Sequence, residues 1–133
     1  MHADITFRQA IPADSAELLK LIQWAMQVYA VKSGITTPLD AFSETVSDLE
    51  QHIARDHVIV AEHKHSLIGT VRLVRLSPDR AYFTRFAVHP HLQQTGVGRL
   101  LFLAAEAWLL GQGFRTVELH TALTNETLVT FYQ

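Results

Sequence analysis

Two glycines, Gly96 and Gly98, stand where an apolar run gives way to helical spacing in Phe86-Ala-Val-His-Pro-His-Leu-Gln-Gln-Thr-Gly-Val-Gly-Arg99. The chemistry open to such a turn is anion binding. The first amides of a helix have no intrahelical acceptor, and they carry the positive end of the helix dipole. A pyrophosphate suits that place. A glycine there lets the backbone approach phosphate oxygens and adopt dihedrals closed to other residues. Two familiar phosphate loops do not fit. A P-loop continues as Lys-Ser/Thr after its last glycine, whereas Arg99-Leu100 stand here. The dinucleotide fingerprint needs three glycines and a later acidic residue. Alone, the Gly-x-Gly also reads as a plain tight connection between strand and helix.

Other residues offer chemistry by type. Glu118 and His120 alternate with Val117 and Leu119, so both point to one face of a strand. They are candidate bases, the imidazole with an unperturbed pKa near ~6.5. The competing reading is a solvated polar face. Eight histidines include His63-x-His65 and His89-x-His91, but no acidic or cysteine ligand stands at a familiar spacing, so no closed zinc site is expected. Arg72, Arg75 and Arg85 read as a solvated face on adjacent strands, with Arg85 alternatively meeting an acidic substrate. By spacing, Tyr132 reads as a core aromatic on a short helix.

Periodicity supplies the scaffold for these residues. Residues 5–8 alternate as a first strand. Leu18, Ile22, Ala25, Met26 and Tyr29 share one face of a helix that Asp14 and Glu17 cap and Ser33-Gly34 ends. A second helix is expected to open at Thr37-Pro38-Leu39-Asp40, with Phe42, Val46, Leu49 and Ile53 on one face. Residues 58–61, 67–76 and 81–88 read as strands separated by turns. A helix over 98–111, a strand over 116–120 and a helix over 125–132 complete the chain. The crossover requires strands 81–88 and 116–120 to lie parallel with the intervening helix on one face. The fold class is α/β (α+β), a mixed and mainly antiparallel sheet flanked by helices.

Composition sets bounds on function. A chain of 133 residues, 48% hydrophobic and 18% charged, suits one folded domain over residues 1–133. The net charge of −2, with no block of like charge, argues against a nucleic-acid partner. No cysteine is present, which excludes disulfides and a thiol nucleophile. The N-terminal residues lack a signal-peptide pattern. The apolar run 100–110 contains Glu106 and falls short of the ~20 residues that span a bilayer. A cytoplasmic location and no membrane partner are the expectations.

Three motifs in register carry a resemblance. Gln93-Gln94-Thr95-Gly96-Val97-Gly98 resembles the coenzyme-A signature Gln/Arg-x-x-Gly-x-Gly/Ala of the GNAT family of N-acetyltransferases. Phe86-Ala-Val-His-Pro90 is similar to that family's Leu-Ala-Val-x-Pro strand end, and Asn125-Glu-Thr-Leu-Val-Thr-Phe-Tyr132 to its Asn-x-x-Ala-x-x-x-Tyr helix. The element order matches from residue 5 to 132. The resemblance implies acetyl-CoA as cosubstrate and a primary amine of a small molecule or peptide as acceptor. It implies that backbone groups of Phe86, Ala87 and Val88 hold the pantetheine arm. Amides of Gln93, Gln94, Thr95, Gly96, Val97, Gly98 and Arg99 would bind pyrophosphate, and Asn125 would contact the cofactor. Tyr132 would protonate the leaving thiolate.

The sequence departs from the family pattern at Gln94, where many relatives have glycine, and at Leu128, where alanine is usual. The resemblance also implies a further C-terminal strand past Gln133, so the domain reads as C-terminally short. An open edge at 116–120 would then invite a strand-exchanged homodimer. Two other functions stand beside catalysis: a CoA-binding or catalytically impaired domain with a regulatory role, and a purely structural interaction module.

Overall fold

The computed structural model describes residues 4–33, 40–93, 95–119 and 127–130. Its elements are β1 (Ile5–Gln9), α1 (Ser15–Ser33), α2 (Val46–Arg55), β2 (His57–His63), β3 (Ser66–Ser77), β4 (Arg80–Val88), α3 (Val97–Gly111), β5 (Thr116–Leu119) and β6 (Thr127–Thr130). They form one sheet in the order β1-β2-β3-β4-β5-β6. Every neighbouring pair is antiparallel except β4 and β5, which run parallel through the α3 crossover. This is the mixed, mainly antiparallel sheet with flanking helices that the sequence predicts.

Local chemistry explains the hairpins. Lys64 and His65 both have positive φ, at 50° and 68°. A two-residue turn of that hand matches the twist of the strands it joins. Pro78-Asp79 closes the next hairpin, between Ser77 and Arg80. The Asp79 carbonyl then accepts the amides of Arg115 and Thr116, at 2.8 and 3.1 Å. That pins the start of β5 beside the start of β4.

Each face of the sheet carries its own core. On one face α3 presents Val97, Leu101, Ala105 and Leu109, spaced four apart and all buried. They meet Ile59, Ala61, Val71, Leu73, Ala81 and Val88. On the other face Leu18, Ile22 and Ala25 of α1 and Leu49 and Ile53 of α2 meet Val58, Val60, Leu67 and Ala87. Neighbouring residues Ala87 and Val88 thus anchor β4 from opposite sides. Among the described residues, no helix is long and apolar enough to cross a membrane.

Three local expectations are corrected. The second helix begins after Thr45, not at Thr37, which lies outside the described residues. Thr45 accepts the Asp48 amide while the Asp48 carboxylate accepts the Thr45 amide, a reciprocal cap at 3.1 and 2.9 Å. Consequently Phe42 and Val46 are exposed, while Leu49 and Ile53 reach the core. At α1, Asp14 instead serves the short 3-10 turn before it, accepting the Ile11 amide, and Glu17 accepts the Leu67 amide of β3. Finally, residues 127–130 form a strand and not a helix. Thr127, Val129 and Thr130 are β-branched, and the segment satisfies the outer edge of β5 from Thr116 to Leu119. The place that strand exchange would use is therefore taken by β6 of the same chain.

Candidate functional site

The end of β4 is shaped by a bulge. Thr70 pairs with Ala87 and Arg72 with Thr84, so Arg85 and Phe86 together stand opposite Val71. Arg85 takes a left-handed conformation, φ 53°. Such a residue bends the strand and re-aims the residues after it. Beyond the bulge, the His89 amide donates to the Ile68 carbonyl at 2.8 Å. Alternation along an extended chain then turns the Val88 amide and carbonyl to the opposite edge. On that edge the pairing with β5 ends at Phe83–Leu119. Among the described residues, the stretch from Thr84 to Val88 has no strand beside it there. An extended ligand can pair with it.

The same strand delivers the chain to α3. Pro90 to Leu92 make a 3-10 turn, and Gln93 continues in extended conformation. Gly96 is the N-cap of α3, with φ 99° and ψ −7°. That left-handed conformation accounts for glycine at this position. Gly98 is different, since its φ lies in the ordinary range. A Cβ built on it would lie 3.6 Å from Val88 and 3.7 Å from Phe86, which is ordinary contact. Thr95 donates its hydroxyl to the Leu92 carbonyl, and Arg99 is exposed. The turn, the helix start and the open strand edge fit a phosphate with an extended arm attached. Phe83, Phe86 and Phe102 form an aromatic group along this side, with ring centroids 5.5 and 5.7 Å apart.

The remaining sequence candidates fall variously. Glu118 pairs in register with Tyr82 and forms an ion pair with Arg80 at 3.1 Å. Gln94, His120, Asn125 and Tyr132 lie outside the described residues. The strand at 127–130 removes the helical register that linked Asn125 to Tyr132. His89 and His91 pack edge-on against Trp24, at 4.7 and 5.5 Å. Burial, and then the neighbouring His91, push the His89 pKa down. Among the described residues, no group of three or more His, Asp or Glu could hold a metal ion.

The arginines do not form one solvated face: Arg75 is exposed, but Arg72 is buried and Arg85 half-buried. Arg75 lies over the Phe114 ring at 4.2 Å. Arg72, only 4% exposed, sends both terminal nitrogens to Glu44 at 3.0 and 3.2 Å. Arg85 Nε donates to the same carboxylate at 3.0 Å. Burial alone would raise the Glu44 pKa, but the hydrogen bonds from Arg72 and Arg85 outweigh it and hold Glu44 below the usual carboxylate range. Sequence reasoning missed Glu44 because it placed that residue inside a helix. The Thr45-x-x-Asp48 box would have put Glu44 just ahead of the helix.

The sequence model of the acetyltransferase (GNAT) family matches residues 18–133. No curated protein matches the sequence significantly. Among solved structures, the fold is similar to a PaiA N-acetyltransferase from Thermoplasma acidophilum in complex with coenzyme A. That likeness has a TM-score of 0.80 and 20% identity, over 91% of this chain and 81% of that one. It is also similar to a GNAT family acetyltransferase from Brucella melitensis in complex with acetyl-CoA, with TM-score 0.75 and 20% identity over 97% and 89%. An N-acetylglutamate synthase from Neisseria gonorrhoeae complexed with coenzyme A and L-arginine gives TM-score 0.66 and 22% identity, over 88% of this chain and 24% of that one.

Proposed function

The chain belongs to the GNAT acetyltransferase family, and on that footing we propose that it moves an acetyl group from acetyl-CoA to a primary amine of a small molecule or peptide. The observation that carries this reading is the left-handed Gly96 cap of α3 beside the edge of β4 that, among the described residues, has no strand against it past Phe83. In this reading, amides from Gln93 to Arg99 receive the pyrophosphate. The Phe86–Val88 backbone receives the pantetheine arm as an added strand.

Transfer proceeds by direct attack. The amine nitrogen bonds to the thioester carbonyl carbon, the carbon–sulfur bond breaks, and sulfur takes a proton. In this reading the Val88 amide, on the edge that no described strand covers, stabilises negative charge on the carbonyl oxygen. Tyr132 is proposed as the acid for sulfur. This assignment rests on the sequence motif. His120 and Glu118, which alternate with Leu119 in the sequence, are proposed to take the proton of the amine, and Glu118 of β5 is already engaged by Arg80. That engagement favours a second reading, a CoA-binding domain without turnover.

A thiol-release assay with acetyl-CoA and a panel of small amines and peptides separates the two. Release above the amine-free rate with at least one acceptor is expected, and Tyr132→Phe should lower it at least tenfold. Cofactor binding without release across the panel would favour the non-enzymatic domain.

A further inference from the structure

We infer that Glu44 is a positioning residue: through Arg85 it holds the β4 bulge in the left-handed turn that aims the Val88 backbone at the thioester arm. The inference rests on the proposed use of acetyl-CoA, and deepens it by naming what sets the cofactor strand.

The bulge needs holding. Arg85 carries a side chain at φ 53°, a conformation that L-residues other than glycine adopt at a cost. Such a conformation persists when its surroundings over-determine it. Here the Arg85 guanidinium donates to the Thr84 hydroxyl next to it at 3.4 Å and, across the fold, to one carboxylate. Glu44 Oε1 accepts from Arg85 Nε at 3.0 Å and from Arg72 at 3.2 Å, while Oε2 accepts from Arg72 at 3.0 Å. Arg72 sits on β3, paired with Thr84, immediately beside the bulge. One side chain thus grips both strands where their register shifts.

Glu44 is itself fixed. It precedes the Thr45 cap of α2, and its own carbonyl accepts from Gln23 of α1 at 3.5 Å. His52 Nε2 lies 3.8 Å from its carboxylate, and His52 Nδ1 is 2.8 Å from Asp56. The segment between α1 and α2 therefore bears on cofactor geometry through the ion-paired Glu44. Three residues past Arg85 stands Val88, whose amide faces the open edge. Any relaxation of φ at Arg85 re-aims that amide.

Two measurements test this. In the first, acetyl-CoA affinity is compared by calorimetry for the wild type, Arg85→Ala and Arg85→Gly. Alanine loses the anchor and keeps the left-handed penalty, so affinity should fall about tenfold. Glycine takes the turn freely, so it should recover affinity to within about threefold of wild type. Wild-type affinity in Arg85→Ala would overturn the inference. So would a glycine variant as weak as alanine, since the guanidinium would then act directly on a ligand.

The second measurement needs no ligand. Amide resonances of Phe86, Ala87 and Val88 are monitored by NMR in Glu44→Gln and in Arg85→Ala, the latter leaving the Arg72–Glu44 pair intact should the former fail to fold. Shifted resonances at all three are expected, and unshifted ones overturn the inference. Failure of the wild type to bind acetyl-CoA would instead sink the proposed function while this second measurement still decides on Glu44.

Discussion

Gly96 and Gly98 belong to one motif but are glycine for different reasons. Gly96 holds φ 99°, so Gly96→Ala should cost about 1–2 kcal/mol of stability and disorder the helix start. Gly98→Ala meets only ordinary contacts and should change stability by less than about 1 kcal/mol. Chemical denaturation of the two variants checks this, and equal losses would show that the turn is not built as described. Such a turn was legible in sequence because its demand is local. Glu44 was not legible, because its partners Arg72 and Arg85 lie 28 and 41 residues away. Nothing at position 44 announces two cations. Replacing Glu44 by alanine would leave Arg72 buried without a counter-charge, a loss on the order of 3 kcal/mol by the same measurement.

Among the elements, the parallel β4–α3–β5 crossover was readable from periodicity and from the glycine turn. The start of α2 was misplaced because two segments, at Thr37 and at Thr45, both carry capping chemistry. Tertiary contact chose the second, which brings Leu49 and Ile53 onto Val58 and Val60. Thr45→Ala should therefore cost about 1 kcal/mol. The segment 127–130 was misread because helical spacing and β-branched composition compete there. The unpaired edge of β5 decides the contest. Cysteines introduced at Glu118 and Leu128, which face each other across β5 and β6, offer a test. The chain has no cysteine of its own, so the background is clean. A disulfide should form on mild oxidation. Its absence there and at the neighbouring Val117–Val129 pair would contradict the strand.

Across the molecule, the sheet divides labour between its faces. One face carries α3 and the Gly96 turn proposed to bind phosphate, and the other carries α1, α2 and the Glu44 ion pairs. The fold should also respond to pH. His57 stacks on Trp108 at 3.8 Å, and burial lowers its pKa from the ordinary 6.5. The unfolded chain therefore binds a proton first, and stability falls as pH drops below that value. Urea unfolding from about pH 7.5 to about pH 5.5 should show this loss, and His57→Phe should flatten it. Asp14, lowered by its Arg8 partner, and Glu44 contribute stability at neutral pH. Those contributions vanish as pH falls below the ordinary carboxylate range and through their folded values. Function turns on whether the Gly96 turn and the β4 edge together bind acetyl-CoA, and calorimetric titration of acetyl-CoA into the folded chain decides it. Saturable binding at one site per chain is expected, displaced by free CoA and weakened about tenfold by Gly96→Ala. A folded chain that takes up no acetyl-CoA would contradict it.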